Sequence, residues 1–255
     1  MLVVILDHLA RNVTLPNVTP AAIQFKGRTQ VHRSPPGRTV VSLLEFEHKA
    51  WEQGFARVAG VDEAGRGPLA GPVVAGAVVL DRAFAERERD GELFGLTDSK
   101  KLAKSKRDYF HLLLTESSCV AVGIGISSVA EIDSMNILRA THLAMKRALE
   151  NLYSMPDYAL IDGLPVVGLP CDSTAIVRGD ARSLSVAAAS IVAKVTRDRI
   201  MLELDRAYPG YGFAGHKGYG TRQHMKALLE SGPCSEHRRS FQPVKDAERI
   251  VRLSP

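Results

Sequence analysis

Apolar and polar positions follow a helical period over residues 43–55, where Leu43, Leu44, Phe46, Trp51 and Phe55 recur on one side, and then the period changes. Residues 56–62 read as a buried strand, Gly65-Arg66-Gly67-Pro68 as a turn, and residues 72–80 as a second, valine- and alanine-rich strand. So short a connection predicts an antiparallel hairpin. The charged stretch 81–97 predicts a loop. Asp98-Ser99-Lys100-Lys101-Leu102 leads into a helix with Tyr109, Leu112 and Leu113 on one face, and residues 119–126 form a third strand. Ser128 and Glu131 make a capping-box pattern. It opens one long helix to about Leu152, with Ile132, Leu138, Met145, Leu149 and Leu152 inward. Two short strands, 158–162 and 175–178, each run into an acid. Residues 183–207 are helical, and Ala187, Ala188 and Ala189 allow close packing on a sheet. A glycine-aromatic loop, 211–219, precedes a last clear helix from Thr221 to about Glu230. Strands paired by a hairpin and then alternating with helices imply a mixed sheet covered by helices. The reading is one α/β domain over residues 43–255 with a helical C-terminal part. Residues 1–42 lack sustained periodicity, carry four prolines, and are expected to be a poorly ordered extension. Asp7 and the lack of a basic start argue against a signal peptide there.

Composition alters this picture little, with 45% of the 255 residues hydrophobic and 24% charged. No apolar run approaches the roughly 20 residues needed to span a bilayer. Cys119, Cys171 and Cys234 are scattered, odd in number and outside any zinc spacing, which points to a reducing, cytoplasmic setting. Cys234 and His237 alone are too small a set for a metal. The formal charge of +5 suggests a nucleic-acid footprint until it is located. Most of it sits in residues 1–44, where Arg11, Lys26, Arg28, Arg33 and Arg38 face only Asp7. Any basic groove in the body must come from local clustering.

Chemistry concentrates at strand ends. Asp62 and Glu63 close a strand flanked by apolar residues. A carboxylate at the edge of a core must be neutralised, paired or bound to a cation, unless the pair merely opens a solvated turn. Asp162 before Gly163 and Asp180 after Gly179 end two more strands, though the first is also an ordinary turn residue and the second an ordinary helix cap. Ligands of α/β sheets gather at strand ends and switch points, so the four acids can converge. Strand alternation would send Asp62 and Glu63 to opposite faces. They share a site only if the strand stops there and the glycine turn redirects the chain. Clustered carboxylates repel, so protons or cations must sit among them, and oxygen ligands suit magnesium or manganese better than zinc. Asp198, mid-helix in Thr196-Arg197-Asp198-Arg199, reads as an ion-pairing residue and reserve ligand. Gly65-x-Gly67-x-x-x-Gly71 is no dinucleotide loop, because Pro68 intrudes and a strand follows where a helix should open.

Together, five stretches resemble the ribonuclease HII family, the type 2 ribonucleases H of bacteria and archaea. They are Asp62-Glu63-Ala64-Gly65-Arg66-Gly67-Pro68, Asp98-Ser99-Lys100-Lys101-Leu102, Ile161-Asp162-Gly163, Gly179-Asp180 with residues 187–198, and His216-Lys217-Gly218-Tyr219-Gly220-Thr221. The resemblance covers roughly residues 43–245, including His237-Arg238-Arg239-Ser240-Phe241. It implies a ribonuclease H-like fold, with a mixed central sheet flanked by helices and additional C-terminal helices. It further implies an endonuclease that hydrolyses the RNA strand of RNA/DNA hybrids and cuts 5′ to single ribonucleotides embedded in duplex DNA. Two divalent cations, Mg2+ or Mn2+, would serve it, leaving 5′-phosphate and 3′-hydroxyl ends. The family's catalytic and metal-binding acids fall on Asp62, Glu63, Asp162 and Asp180. Its reader of the ribose 2′-hydroxyl falls on Gly65, Arg66 and Gly67, its phosphate contacts on Ser99 and Lys100, and its junction-sensing tyrosine on Tyr219. The expected partner is nucleic acid, bound by a monomer, with a sliding clamp as a candidate recruiter and no membrane. Type 3 enzymes carry a different glycine motif. A non-catalytic hybrid binder would have lost an acid, and a resolvase- or integrase-like nuclease needs no 2′-hydroxyl reader.

Overall fold

The sheet is built outward from a hairpin. The computed structural model describes residues 43–253, so the expected extension over 1–42 lies outside the described residues. Strands β1 (Val58–Ala64) and β2 (Val73–Leu80) pair antiparallel, from Ala59 opposite Val79 to Ala64 opposite Val74. β3 (Val120–Ser127) adds antiparallel to β2, while β4 (Tyr158–Asp162) and β5 (Asp172–Ile176) add parallel on the other side of β1. The order is β3-β2-β1-β4-β5, a mixed sheet with β1 at its centre.

The helices are α1 (Glu45–Glu52), α2 (Arg82–Glu88), α3 (Lys104–Glu116), α4 (Val129–Met135), α5 (Ile137–Glu150) and α6 (Leu184–Ala207). A single turn, α7 (Phe213–His216), then leads to α8 (Arg222–Ser231) and α9 (Gln242–Leu253). Alternation along the strands sorts them onto two faces. Gly60 faces α6, where a Cβ would lie 2.0 Å from the Ser185 carbonyl carbon. Gly125 faces α5, where a Cβ would lie 2.0 Å from the Ala144 carbonyl oxygen. Side-chain-free positions thus let each helix backbone touch the sheet. Ala187, Ala188, Ala189, Ile191 and Val192 of α6 pack with Val78, Leu80, Phe110 and Leu114 on the first face. Ala144, Met145 and Ala148 of α5 pack with Ala59, Val61, Ala75 and Ala77 on the second. Truncating Ile191 to alanine in that first layer would cost about 2–5 kcal/mol.

Four expectations change in the structure. The stretch 81–97 is not all loop. Asp81 caps α2 by accepting the Phe84 amide at 3.0 Å, and the charge run hid the two residues, Phe84 and Ala85, that the helix buries. The long helix after Ser128 breaks at Asn136, whose φ of 75° ends α4 while its side chain accepts the Leu138 and Arg139 amides to start α5. That break rotates Leu138 outward, although Ile132, Met145, Leu149 and Leu152 are buried as expected. The buried side of α3 is Phe110, His111 and Leu114, with Tyr109 and Leu112 exposed. The last strand lies at Asp172–Ile176 rather than 175–178, because an edge strand with exposed polar residues leaves no apolar alternation to read.

Glu47 of α1 is buried against the start of α6. Its Oε1 accepts from Ser183 Oγ at 2.6 Å, from the Ser185 amide at 2.9 Å and from Ser185 Oγ. A carboxylate there meets unpaired amides and the positive end of the helix dipole. The anchor fixes the first turn of α6 and with it the Gly179–Ala181 turn just before it.

Candidate active site

Parallel pairing sets Val58 opposite Tyr158 and Val61 opposite Ile161, so Asp62 and Asp162 are the next residues on neighbouring strands. Beyond that point β1 loses β4 but keeps β2, with Asp62 opposite Gly76 and Glu63 opposite Ala75. The sheet therefore opens where the acids stand. The expectation that β1 stops at Asp62 is not met: the strand runs through Ala64, and it is the end of the β4 pairing, not of β1 itself, that opens the sheet beside both acids. Asp62 keeps the parity of Gly60 and reaches Ser190 on α6, while Glu63 projects from the other face and lines a cleft in front of the glycine turn.

Burial, and then the charges of Glu63 and Asp162, hold the Asp62 carboxyl well above its ordinary range, against hydrogen bonds from Ser190 and from the Glu63 amide at 2.7 Å. Burial also raises Glu63, countered by the Arg66 guanidinium 3.4 Å away and opposed in turn by Asp162. Asp180 is raised by burial and by the charges of Asp162 and Asp98, with Lys100 and Lys101 working the other way. Asp162 accepts the Gly179 amide at 2.6 Å and so fixes the turn that carries Asp180. The preceding Arg178 takes a left-handed φ of 57° to make that turn. Ser183, not Asp180, caps α6 by accepting the Val186 amide.

A cleft of about 810 Å³ gathers Glu63, Gly65, Arg66, Gly67, Lys100 and Tyr219. Asp62 and Asp162 adjoin Glu63 electrostatically and Asp180 adjoins Asp162, but none of these three aspartates is part of the cleft lining. Ser99 lies buried behind it in the 3-10 turn Ser99–Lys101, which Asp98 caps by accepting the Lys100 amide at 3.0 Å. Ser190 Oγ and Ser99 Oγ are hydrogen-bonded at 2.8 Å, so one α6 serine touches both Asp62 and the 3-10 turn. Tyr219 is half-exposed on the loop after α7. Asp198 pairs with Lys194 at 2.7 Å, and that lysine lines the cleft.

Sequence reading missed Ser190, Arg107, Lys194, Arg197 and Arg238. Arg107 braces the 3-10 turn by donating to the Ser99 and Leu102 carbonyls at 3.1 and 2.5 Å. Arg197 and Arg238 are buried arginines beneath the glycine turn. Burial pushes them down, to about 10 and about 9, so both stay charged at neutral pH.

Among the described residues, no three His, Cys, Asp or Glu side chains stand close enough to hold an ion as they are. The donor set nevertheless fits a hard divalent cation. It is all oxygen, and three of its acids are driven toward protonation by burial and by one another, a cost that a cation among them would relieve. Among the described residues no helix is long and apolar enough to cross a membrane.

A family model described as Ribonuclease HII matches residues 59–244. A ribonuclease HII of Geotalea uraniireducens (strain Rf4) is 52% identical over 209 residues, 82% of this chain and 93% of that relative. One from Chlamydia muridarum (strain MoPn / Nigg) is 52% identical over 206 residues, 80% of this chain and 90% of the relative. The crystal structure of ribonuclease H2 from Pyrococcus horikoshii OT3 is similar at TM-score 0.64 and 31% identity, covering 78% of this chain and 100% of that one. The ribonuclease HII in a PCNA complex from Archaeoglobus fulgidus, at 24% identity, TM-score 0.58 and coverage of 73% and 95%, shares the fold. With the carboxylate strand ends, the glycine turn and these matches together, the chain belongs to the ribonuclease HII family, metal-dependent endoribonucleases that cleave RNA in RNA/DNA hybrids.

Proposed function

We propose that this protein cuts 5′ to single ribonucleotides embedded in duplex DNA, as well as within the RNA strand of hybrids. The products would carry 5′-phosphate and 3′-hydroxyl ends. The observation that supports this best is the alignment of Asp62 with Asp162 where parallel β1 and β4 part, beside a glycine turn and an exposed tyrosine in one cleft.

Asp62, Glu63, Asp162 and Asp180 are the residues that would hold two divalent cations, Mg2+ or Mn2+, with Asp62, the most deeply buried of the four, as the central ligand residue. Such cations, when bound, supply water activation and stabilisation of the departing 3′-oxygen. The chain's own groups bind and orient. A side chain at Gly67 would project toward Tyr219, and one at Gly65 would collide with Arg197 beneath the turn, so glycine at both places lets the backbone keep this shape and approach the 2′-hydroxyl that separates RNA from DNA. Arg66 stands over the same space and partners Glu63. Lys100, beside the cleft, and Ser99 behind it suit the phosphates flanking the scissile bond. Tyr219 presents a ring on which the neighbouring deoxynucleotide can stack. Nucleic acid is the partner, and the protein acts as a monomer.

The test is cleavage of a labelled DNA duplex holding one ribonucleotide, beside an all-DNA duplex, with magnesium, manganese or chelator. A single metal-dependent cut 5′ to the ribonucleotide is expected. Equal cutting of both duplexes would sink the Gly65-Arg66-Gly67 assignment and point to a general nuclease. Binding without cutting would point to a non-catalytic hybrid binder.

A further inference from the structure

Arg197 of α6 and Arg238 before α9 are 1% and 0% exposed, and among the described residues neither has a carboxylate within ion-pair distance. Among the described residues every hydrogen bond they make goes to a backbone carbonyl. Arg197 donates from Nε to Pro72 at 3.0 Å, from Nη2 to Ala70 at 3.2 Å and from Nη1 to Lys217 at 3.0 Å. Arg238 donates from Nε and Nη2 to Gly71 at 3.0 and 2.8 Å, from Nη1 to Arg66 at 2.9 Å and from Nη2 to Gly65 at 2.5 Å. Burying two unpaired cations side by side is costly, and apolar residues of similar size fill a core without that cost. What only a guanidinium supplies is a rigid fork that holds several carbonyls at once.

The carbonyls so held belong to the glycine turn and its continuation into β2. With the Gly65 and Arg66 oxygens drawn inward, the amides of Gly65, Arg66 and Gly67 find no acceptor among the described residues, and these three residues line the cleft. Gly65 sits at φ 101°, and a Cβ there would lie 2.0 Å from Arg197 Nε, so the turn and the arginine are shaped to each other. Lys217 lies two residues before Tyr219, and Leu69 donates its amide to the Gly218 carbonyl at 2.8 Å. One arginine therefore grips both the segment that follows the glycine turn and the tyrosine loop.

We propose that Arg197 and Arg238 are positioning residues for ribose selectivity. By taking the loop carbonyls inward they leave the amides of residues 65–67 facing the substrate, and Arg197, through Lys217, sets the spacing between that turn and Tyr219. The inference rests on the reading of the turn as a 2′-hydroxyl sensor.

Lysine keeps the charge but loses the fork, so Arg238→Lys and Arg197→Lys are the informative variants. Single-turnover cleavage is measured on three duplexes that differ at one nucleotide, as ribo, 2′-fluoro or deoxy, after circular dichroism has established folding at the assay temperature. The wild type is expected to prefer ribo over 2′-fluoro. In the folded variants the rate on the ribo duplex falls on the order of 10²-fold, as for a reader displaced by about 1 Å, with little change on 2′-fluoro, so the ratio collapses. A wild type that cuts the ribo and 2′-fluoro duplexes equally would overturn the sensor reading itself. A wild type that discriminates, with variants that lose rate equally on both or keep the wild-type ratio, would overturn the clamp alone. Should a variant not fold, the wild-type Nε–H resonances of Arg197 and Arg238 decide. They should shift more with the ribo duplex than with the all-DNA duplex, and identical shifts would overturn the proposal.

Discussion

The carboxylate end of β1 and the arginines beneath the adjoining turn both bury charge, and they balance it in opposite ways. Asp62, Glu63 and Asp180 are pushed toward protonation by burial and by neighbouring acids, with Arg66, Lys100 and Lys101 as partial relief from one side. Arg197 and Arg238 are buried at least as deeply, yet between them they make seven hydrogen bonds to carbonyls. The first cluster is left with repulsion that a cation from outside would relieve. The second has a carbonyl partner at every guanidinium nitrogen within the chain. A buried charge whose cost is unresolved marks where chemistry is done, and one held at each nitrogen by the chain's own carbonyls marks what holds the chemistry in place.

The sharpest test of the unresolved side is Asp62→Asn. It removes charge at nearly constant shape, so cleavage should fall by about 10³-fold or more while duplex binding and fold are kept. Relief of repulsion should leave the melting temperature unchanged or higher. Normal turnover by this variant would break the contrast. Metal is the next lever. Acids whose folded pKa is raised contribute stability below their ordinary values of 3.8 to 4.5, and that contribution is lost as pH rises through the folded values. Adding Mg2+ at about 100 times its dissociation constant should raise Tm by about 5–10 °C at pH 8 and clearly less at pH 4, where protons occupy the acids. Equal shifts at both pH values would contradict it. Smaller again is Tyr219→Ala. Losing one stacking platform should slow cleavage at a single ribonucleotide roughly 10- to 100-fold and spare a continuous hybrid, whose cleaved strand has no deoxynucleotide to sense. Equal loss on both substrates would place Tyr219 among general contacts.

The two regions were not equally legible in the sequence. Asp62, Glu63 and Asp162 could be read because they interrupt apolar strands just before glycine, a pattern carried by adjacent residues. Asp180 was found although its strand was misplaced, since Gly179-Asp180 marks the turn whichever residues precede it. Arg197 was invisible because Thr196-Arg197-Asp198-Arg199 looks like a solvated helical face, and carbonyls outside its helix, two of them more than a hundred residues distant in sequence, decide that it is buried. Arg238, in His237-Arg238-Arg239, hides in the same way. Asn136 escaped because helical periodicity continues on both of its sides and only its φ betrays the break. Local pattern recovers what one segment does by itself. Long-range satisfaction of buried polar groups is not written locally, and that is how the clamp is made.

The smallest expected effect separates the two regions by the sign of their pH response. His224 and His237 lie behind the tyrosine loop with their Nε2 atoms 3.0 Å apart. The Cys234 amide donates to His237 Nδ1, so His237 carries its proton on Nε2 and donates it to His224, whose Nδ1–H donates to the Tyr219 carbonyl. Both rings are neutral in this chain of bonds, and a proton on either would end it. Burial, and then the neighbouring His224, push His237 down to about 3, while burial lowers His224 as well. A histidine with a lowered folded pKa contributes stability that is complete above its ordinary 6.5 and lost as pH falls toward the folded value. His237 alone should cost about 1 kcal/mol by pH 5.5, a Tm decrease of about 2–4 °C. Magnesium would silence the carboxylates, whose response runs the other way, so the measurement is Tm against pH from 7 to 5.5 with saturating Mg2+. The decline should persist under those conditions and flatten in His237→Gln. A decline that vanishes with magnesium, or survives unchanged in the variant, would mean that the carboxylate end governs the whole pH response and that the loop behind Tyr219 is not held by neutral histidines.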